Sequence, residues 1–211
     1  QKEKWYWLAA VVLGVLLSLL FAAHWTEGYA DMIQKGIGGK VVRFHVLANS
    51  DSEADQTLKL AVRDRVLQEY GDLLETCTSK EETLAALKNA QQEISETAEA
   101  EVLAQGYTYP VRVSLVREEF PFKKYGDLIF PAGVYDALRI EIGEAKGKNW
   151  WCVLYPQMCY VDAAWGYSTE ESHVRLQNTL TKEEFLVVSA MEQKKVAPKI
   201  KCRLVELWSE R

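Results

Sequence analysis

A histidine, an asparagine and two aspartates cluster where a predicted strand gives way to a predicted helix. They are His45, Asn49, Asp51 and Asp55. An imidazole with two carboxylates could hold a divalent metal ion or exchange protons with a substrate. The other two histidines of the chain, however, have no metal-type spacing to His45. Asn and Asp at such a position also shape turns and begin helices, and this is the interpretation that the sequence favours.

The segment at residues 143–149, GEAKGKN, has the glycines and the lysine of a phosphate-binding loop but not its spacing. It is one residue short, and Asn149 stands where a Ser or Thr would bind Mg²⁺. The sequence also contains no nucleophile elbow, no HExxH zinc motif and no Cys–His pair at a known spacing. We therefore predict no catalytic activity, no metal and no cofactor. An exported hydrolase that acts on cell-wall material through His45, Asp51 and Asp55 is the alternative.

Strands are predicted from apolar residues that alternate with polar ones, or from dense aromatic and β-branched composition. The predicted strands are residues 40–48, 111–115, 138–142, 150–155 and 200–204. In the first of them, Val42, Phe44 and Val46 share one face, and Arg43 and His45 share the other. The third and fourth flank the Gly/Lys-rich segment at residues 143–149. We therefore predict that they form a β-hairpin, around which the rest of the sheet is organised.

Three pairs of residues have the spacing of a helix capping box, in which a hydroxyl and a carboxylate satisfy the free amides at a helix start. The pairs are Ser50 with Glu53, Ser79 with Glu82, and Thr181 with Glu184. The first two precede apolar residues at helical spacing, and the second of these helices ends near Gly106. The fold class is therefore predicted as α+β: a largely antiparallel sheet of about five strands with a packed helical hairpin.

An uncharged apolar run occupies residues 5–23, after Lys2 and Lys4. Its length is close to the ~20 residues that span a bilayer as a helix, and the lysines place the N-terminus in the cytoplasm. Gly28 and Ala30 are small residues that suit a signal peptidase cutting after Ala30. We expect residues 1–30 to be either a cleaved signal peptide, which is favoured, or a retained membrane anchor.

Residues 31–39 contain three glycines and are predicted to be a flexible tether, with a single domain at residues 40–211. The chain has a formal net charge of −5. This mild acidity argues against nucleic acid as a partner, because such a partner requires a basic face.

The four cysteines are interpreted from the exported location, where disulfides are permitted. Cys152 and Cys159 flank a predicted turn at Pro156, so a bridge between them is favoured. Cys77 lies between the two predicted helices, and Cys202 is predicted to be a buried thiol on the last strand.

Six tryptophans and tyrosines fall within residues 150–167, and because strand side chains alternate, some of them should face outward. Two interpretations stay open for Trp150 and Trp151. One of the two could be an exposed anchor for a partner, or both could be covered.

Two segments resemble the stage II sporulation protein R family of endospore-forming bacteria. They are HVLANSDSEADQTLKLAVRD at residues 45–64 and FPAGVYDALRIEIGEAKGKNWWCVLYPQMCYVD at residues 130–162. The resemblance covers nearly the whole chain, including the apolar N-terminal segment. It implies a non-enzymatic signalling protein that is made in the forespore and exported into the space between the two forespore membranes. It also implies activation there of a membrane-embedded aspartic peptidase, of the stage II sporulation protein GA type, which processes the sigma-E precursor.

Two turns that should be exposed are predicted to bind the partner. The first contains Asn49, Asp51 and Asp55, and the second contains Lys146, Lys148, Asn149, Trp150 and Trp151. Exposed turns present side chains at little structural cost. The acidic residues are expected to steer orientation, and at least one tryptophan is expected to point away from the core as an aromatic anchor.

Overall fold

The computed structural model describes residues 2–159 and 170–189. The helices are α1 (Lys2–Gly38), α2 (Glu53–Glu75), α3 (Lys80–Asn89), α4 (Gln91–Ala104), α5 (Glu170–Thr179) and α6 (Lys182–Ser189). The strands are β1 (Val42–Leu47), β2 (Val111–Phe120), β3 (Lys123–Tyr125), β4 (Leu128–Phe130), β5 (Gly133–Ile142) and β6 (Asn149–Tyr155). The main sheet has the order β2-β5-β1-β6, and β3 and β4 form a separate pair. The α+β fold class is therefore confirmed.

The predicted hairpin between β5 and β6 is wrong. β1 lies between these strands, parallel to β5 and antiparallel to β6. The 143–148 connection therefore passes the end of β1 before β6 begins. Sequence proximity favoured a hairpin, but β1 is buried on both faces, and at the centre of the sheet both of its edges are hydrogen-bonded.

The first face of the sheet packs against α2, α3 and α4. Val42, Phe44 and Val46 are fully buried there, as the alternation of β1 predicts, and Leu138 and Ile140 of β5 lie beside them. The helical layer contributes Leu58, Val62, Val66, Leu87, Ile94 and Ala98 to the same core. This apolar contact is what fixes the turn after β1, because β1 and α2 are both held in one core.

The helix starts agree with the capping predictions in two of three cases. Ser79 caps α3 by accepting from the amide of Glu82, at 3.2 Å. Thr181 and Glu184 form a reciprocal pair at the start of α6. At α2, however, the N-cap is Ser52, which accepts from the amide of Asp55, and not Ser50. The predicted second helix is also divided at Ala90 into α3 and α4.

The second face of the sheet also carries a buried core, which the sequence did not indicate. A second core lies there, formed by β3, β4, the last turns of α1 and the pair α5 and α6; its buried members include Ile37, Phe120, Phe130, Tyr135, Leu176 and Val188. Arg43, expected on a polar face, is fully buried in this core. Its guanidinium lies 4.7 Å from the ring centre of Phe120 and donates to the hydroxyl of Tyr125 at 2.8 Å.

α1 is one continuous helix whose first thirty residues project from the domain. Among the described helices it alone is long and apolar enough to cross a membrane, a test that signal sequences also pass. The segment expected to be a tether, residues 31–39, is helical up to Gly38. Ile33 and Ile37 are buried in the second core. The carbonyl of Gly38 accepts from the buried Lys80, at 2.7 Å.

We predict that the domain lies outside the cytoplasm. Alkaline phosphatase fused after Arg211 is expected to be active, and a reporter that works only in the cytoplasm is expected to be inactive at the same position, since Lys2 and Lys4 stay inside. Deleting residues 5–23 should reverse both results. Cytoplasmic reporter activity from the full chain would contradict the predicted orientation.

The predicted disulfide between Cys152 and Cys159 is present, with Cα atoms 5.3 Å apart. It ties the buried part of β6 to the segment that follows the strand. Cys77 is a free thiol, partly exposed. Cys202, the strand predicted at residues 200–204 and the aromatic residues at 160–167 lie outside the described residues.

Substituting both Cys152 and Cys159 by Ser is expected to lower the free energy of unfolding by roughly 2–3 kcal/mol, because the bridge restricts the unfolded chain. Urea unfolding of the wild type and the double variant measures the difference. Cys77→Ser, which removes a thiol without opening a loop, is the matched control. An equal loss in the control would show that the bridge is not the cause.

Candidate functional site

The two segments predicted to bind a partner meet at one end of the sheet. The amide of Lys146 donates to the carbonyl of Asn49, at 3.2 Å, and the amide of Gly147 donates to the carbonyl of Ala48, at 2.9 Å. The side chain of Asn49 accepts from the amide of Glu144, at 2.9 Å. We call the segment 49–55 the acidic turn and the segment 143–149 the basic loop. Together they form one continuous surface.

Asp55 stabilises the conformation of the acidic turn through hydrogen bonds within the turn. Its side chain is only 4% exposed. The carboxylate accepts from the amide group of Asn49, at 2.9 Å, and from the hydroxyl of Ser50, at 2.5 Å. The hydrogen bond from Ser50 lowers the pKa of Asp55, and it outweighs the opposing effect of burial. Asp55 therefore supports the surface but cannot present its charge to a partner, contrary to the steering role expected of it.

Asp51 is exposed and connects the acidic turn to the basic loop. Its carboxylate accepts from the amide of Lys148, at 2.6 Å. The carbonyl of Lys148 accepts in turn from the ammonium of Lys59, which is buried on α2. Burial lowers the pKa of Lys59. Both the amide and the carbonyl of Lys148 are therefore hydrogen-bonded, which fixes the main chain of the basic loop at this residue.

The side chains of Lys146 and Lys148 are exposed, and that of Asn149 is exposed but also hydrogen-bonds to His45. Lys146 is 75% exposed at its side chain and pairs with Glu144 inside the same loop. Such an exposed pair contributes little to stability. These residues are therefore available for contacts with another molecule.

Trp150 and Trp151 lie on opposite faces of β6, and neither points away from the core. Trp150 packs against the first core, with the guanidinium of Arg63 at 4.0 Å from its ring centre. Trp151 packs against the second core and stacks on His45, at 3.7 Å between ring centres. Both are half-buried. The expectation of an outward-pointing tryptophan anchor was therefore wrong.

His45 belongs to a different group of residues from Asp51 and Asp55. It lies on the second face of the sheet, where its Nδ1 is 2.7 Å from a carboxylate oxygen of Glu118. Burial lowers the pKa of His45, and Glu118 opposes that effect. The alternative hydrolase required His45, Asp51 and Asp55 to act together. His45 lies on the sheet face, whereas the two aspartates lie in the acidic turn. The described part of the chain contains no group of three or more His, Cys, Asp and Glu side chains that could hold a metal ion.

Sequence reasoning missed a polar strip that continues from His45 across the sheet. Glu118 also contacts Arg139, which pairs with Glu141, and Glu141 accepts from Arg112 at 3.2 Å. Burial would raise the pKa of Glu141, but the two arginines hold it below its ordinary value. The strip could have been found from the alternation of β2, since Arg112, Ser114 and Glu118 occupy positions of the same parity.

We predict that Gly147→Ala separates the two halves of the surface. A Cβ at position 147 would collide with the carbonyl oxygen of Ser50, which is main chain and cannot rotate away. The variant is expected to lose signalling activity and to melt at a lower temperature. Gly106→Ala is the control: nothing lies within 4 Å of its Cβ, and alanine at its positive φ costs about 1–2 kcal/mol. Equal activity in the two variants would contradict the prediction.

Comparison with known proteins identifies the family. A family model described as stage II sporulation protein R matches residues 38–165. The protein of that name from Bacillus subtilis (strain 168) is 32% identical over 82% of each chain. No solved structure matches. The matched region begins at the last residue of α1 and includes the acidic turn and the basic loop. The chain belongs to the stage II sporulation protein R family.

Proposed function

We propose that this protein is an exported sporulation signal. It would cross the forespore membrane, act in the intermembrane space and activate a membrane-embedded aspartic peptidase that processes the sigma-E precursor. The peptidase would be of the stage II sporulation protein GA type. This coupling would link gene expression in the forespore to that in the mother cell.

The observation that carries the proposal is a helix of membrane-spanning length that is continuous with a folded domain, in a member of a sporulation family. Such a chain is suited to present a surface outside the cytoplasm. The acidic groups of the turn are occupied by structural hydrogen bonds, as expected of a protein that binds a partner without catalysis. Asp55 is enclosed by its hydrogen-bond partners, and Asp51 accepts from the basic loop.

We place the partner-binding surface on the acidic turn and the basic loop. Lys146, Lys148 and Asn149 would make direct contacts, because their side chains are exposed on a main chain that is fixed at several points. A preformed loop loses little conformational entropy on binding, which favours affinity. Asn49, Asp51 and Asp55 would position the loop, and the half-buried Trp150 and Trp151 would support it from below.

The test is co-expression of the full chain with the peptidase and the sigma-E precursor, with precursor cleavage read on an immunoblot. We expect cleavage with the wild type and severalfold less with the double variant Lys146→Glu and Lys148→Glu. Lys88→Glu, an exposed charge reversal at the end of α3, is the control and should leave cleavage unchanged. Melting temperatures of the purified variants show whether folding is intact.

Two results would overturn different parts of the proposal. If the folded, exported wild type does not promote cleavage, the peptidase is not its target. If the wild type promotes cleavage and the double variant does so equally well, the partner binds another surface.

A further inference from the structure

The docked part of α1 runs alongside the start of β5. Earlier residues of α1 lie beside earlier residues of β5. Gly38 lies beside Tyr135 and Gln34 lies beside Gly133, and Ala30 and Pro131 line one hollow. α1 is therefore aligned with the strand and leaves the domain beyond the first residue of β5. Because β1 is parallel to β5, the same end of the sheet also holds the start of β1.

Aromatic residues mark where the bilayer lies along α1. Trp5 and Trp7 lie at the start of the apolar run and Trp25 follows it, and tryptophan prefers the boundary between headgroups and acyl chains. The 18 residues from Trp7 to Trp25 make about 27 Å of helix, close to the roughly 30 Å of a hydrocarbon core. Ala30 follows Trp25 by about 8 Å of helix. The domain therefore begins at the level of the headgroups.

The end of the sheet next to α1 exposes apolar and basic side chains together. Phe120 pairs with Gly133, so the turn between β2 and β3 extends beyond the start of β5, toward the bilayer. Phe122 lies in this turn and is 52% exposed, and Lys124 beside it is exposed as well. Arg117 lines the same hollow as Ala30 and is 67% exposed at its side chain.

Glu119, next to Phe120 on β2, is an exposed acid at this end, whereas Asp31 and Asp136 are paired. Asp31 pairs with Lys35 at 2.8 Å. Asp136 pairs with the buried Lys80 at 2.6 Å and lies 3.6 Å from Arg117. An aromatic side chain flanked by lysine and arginine, close to a membrane-spanning helix, has the composition of surfaces that bind anionic lipid.

We propose that the β2–β3 turn is a membrane-binding surface in the chain that retains α1. Phe122 would insert at the boundary between headgroups and acyl chains of the bilayer that α1 spans, and Lys124 and Arg117 would contact anionic headgroups. Together with the direction of α1, this contact fixes the orientation of the domain. The acidic turn and the basic loop follow the far ends of β1 and β5, so they are held away from that membrane. The proposal does not depend on the peptidase being the target.

The test places an environment-sensitive fluorophore on the full chain in vesicles of phosphatidylcholine and phosphatidylglycerol. In a background of Cys77→Ser and Cys202→Ser, Phe122→Cys carries the label in one sample and Lys146→Cys carries it in the other. At position 122 we expect a blue-shifted emission and severalfold less quenching by aqueous iodide than at position 146. Equal quenching at both positions would overturn the proposal.

Two further measurements separate lipid from other causes of protection. In vesicles of phosphatidylcholine alone, protection at position 122 should decrease, and protection that does not change would overturn the role of anionic headgroups. Protection should also be independent of the ratio of protein to lipid. If it rises with that ratio, a second copy of the chain covers Phe122 and the membrane assignment is wrong.

Discussion

Replacing Arg43 by Ala is expected to destabilise the domain by about 3–5 kcal/mol, a loss typical of truncating a large buried side chain to alanine. Arg43 is among the largest of the fully buried side chains. Its Nε donates to the carbonyl of Cys152 at 3.1 Å. Truncation would leave that carbonyl and the hydroxyl of Tyr125 without this donor, and it would open a cavity between aromatic rings.

The guanidinium contacts four rings, with its carbon 4.7–5.6 Å from the ring centres of Phe120, Tyr125, Phe130 and Tyr135. These rings attract the cation and compensate part of the cost of removing it from water. Burial lowers the pKa of Arg43, but arginine remains protonated throughout the physiological range. The charge is therefore present in the folded core.

Arg43→Met is the informative control, because it keeps most of the volume and removes the charge. A buried charge replaced by a well-packed apolar side chain often costs little. We expect Arg43→Met to lose much less free energy of unfolding than Arg43→Ala does, as measured by urea unfolding against the wild type. If both variants lose the same stability, the charge matters more than the packing, and the cavity argument fails.

Replacing Asp55 by Ala is expected to abolish signalling and to lower the free energy of unfolding by roughly 1.5–3 kcal/mol, the usual contribution of hydrogen bonds to a charged group. The carboxylate holds Asn49 and Ser50, and Asn49 in turn holds the amide of Glu144. Without it the acidic turn and the basic loop lose their common support.

The stability contributed by Asp55 should depend on pH with a definite sign. Its pKa is lowered in the folded protein from the ordinary value of 3.8. A lowered pKa means that the stabilisation is fully present above the unfolded value and is lost as the pH falls through the folded value. The difference between the wild type and Asp55→Ala should therefore be constant near neutral pH and should shrink below about pH 4.

Glu53→Ala is the matched control for this experiment. Glu53 is an exposed acid in the same first turn of α2, so its removal changes the helix-dipole interaction without touching Asn49 or Ser50. We expect a loss below about 1 kcal/mol and normal signalling. Loss of signalling in Glu53→Ala would show that acidity at this helix start, and not the support of the loop, is what activity requires.

Local patterns in the sequence were sufficient to predict the residues that face the first core. The alternation of β1 and β5 correctly separates Val46 and Ile140 from His45 and Arg139, because one face of those strands packs against helices. The disulfide was also predictable, since its two cysteines are close in the chain and flank a turn.

Strand order and the second core depend on distant parts of the chain, and for that reason they were not predicted. Nothing local to residues 143–149 indicates that β1 enters between β5 and β6. Arg43 is polar, so periodicity assigns it to solvent; only the rings contributed by β2, β3, β4 and β5 make its burial possible. Three glycines near the end of α1 suggested a tether, but their small size allows close packing: a Cβ at Gly36 would meet Glu184 of α6.

The proximity of the acidic turn and the basic loop was expected, but the contacts of their side chains were not. Asp51 and Asp55 look alike in the sequence, yet one is exposed and the other is enclosed by Asn49 and Ser50. A capping pattern cannot decide between Ser50 and Ser52, because both precede the helix at plausible distances. The structure assigns the cap to Ser52 and leaves Ser50 for Asp55.

The hydrogen bonds between the acidic turn and the basic loop are asymmetric. The basic loop contributes only main-chain amides, those of Glu144, Lys146, Gly147 and Lys148, whereas the acidic turn contributes the side chains of Asn49 and Asp51 as well as carbonyls. Outside the two glycines and Ala145, whose φ is positive, the loop can therefore exchange its side chains without changing its path. If the loop binds the partner as proposed, substitutions in the loop alone could change which partner is recognised, while the opposite turn tolerates few changes.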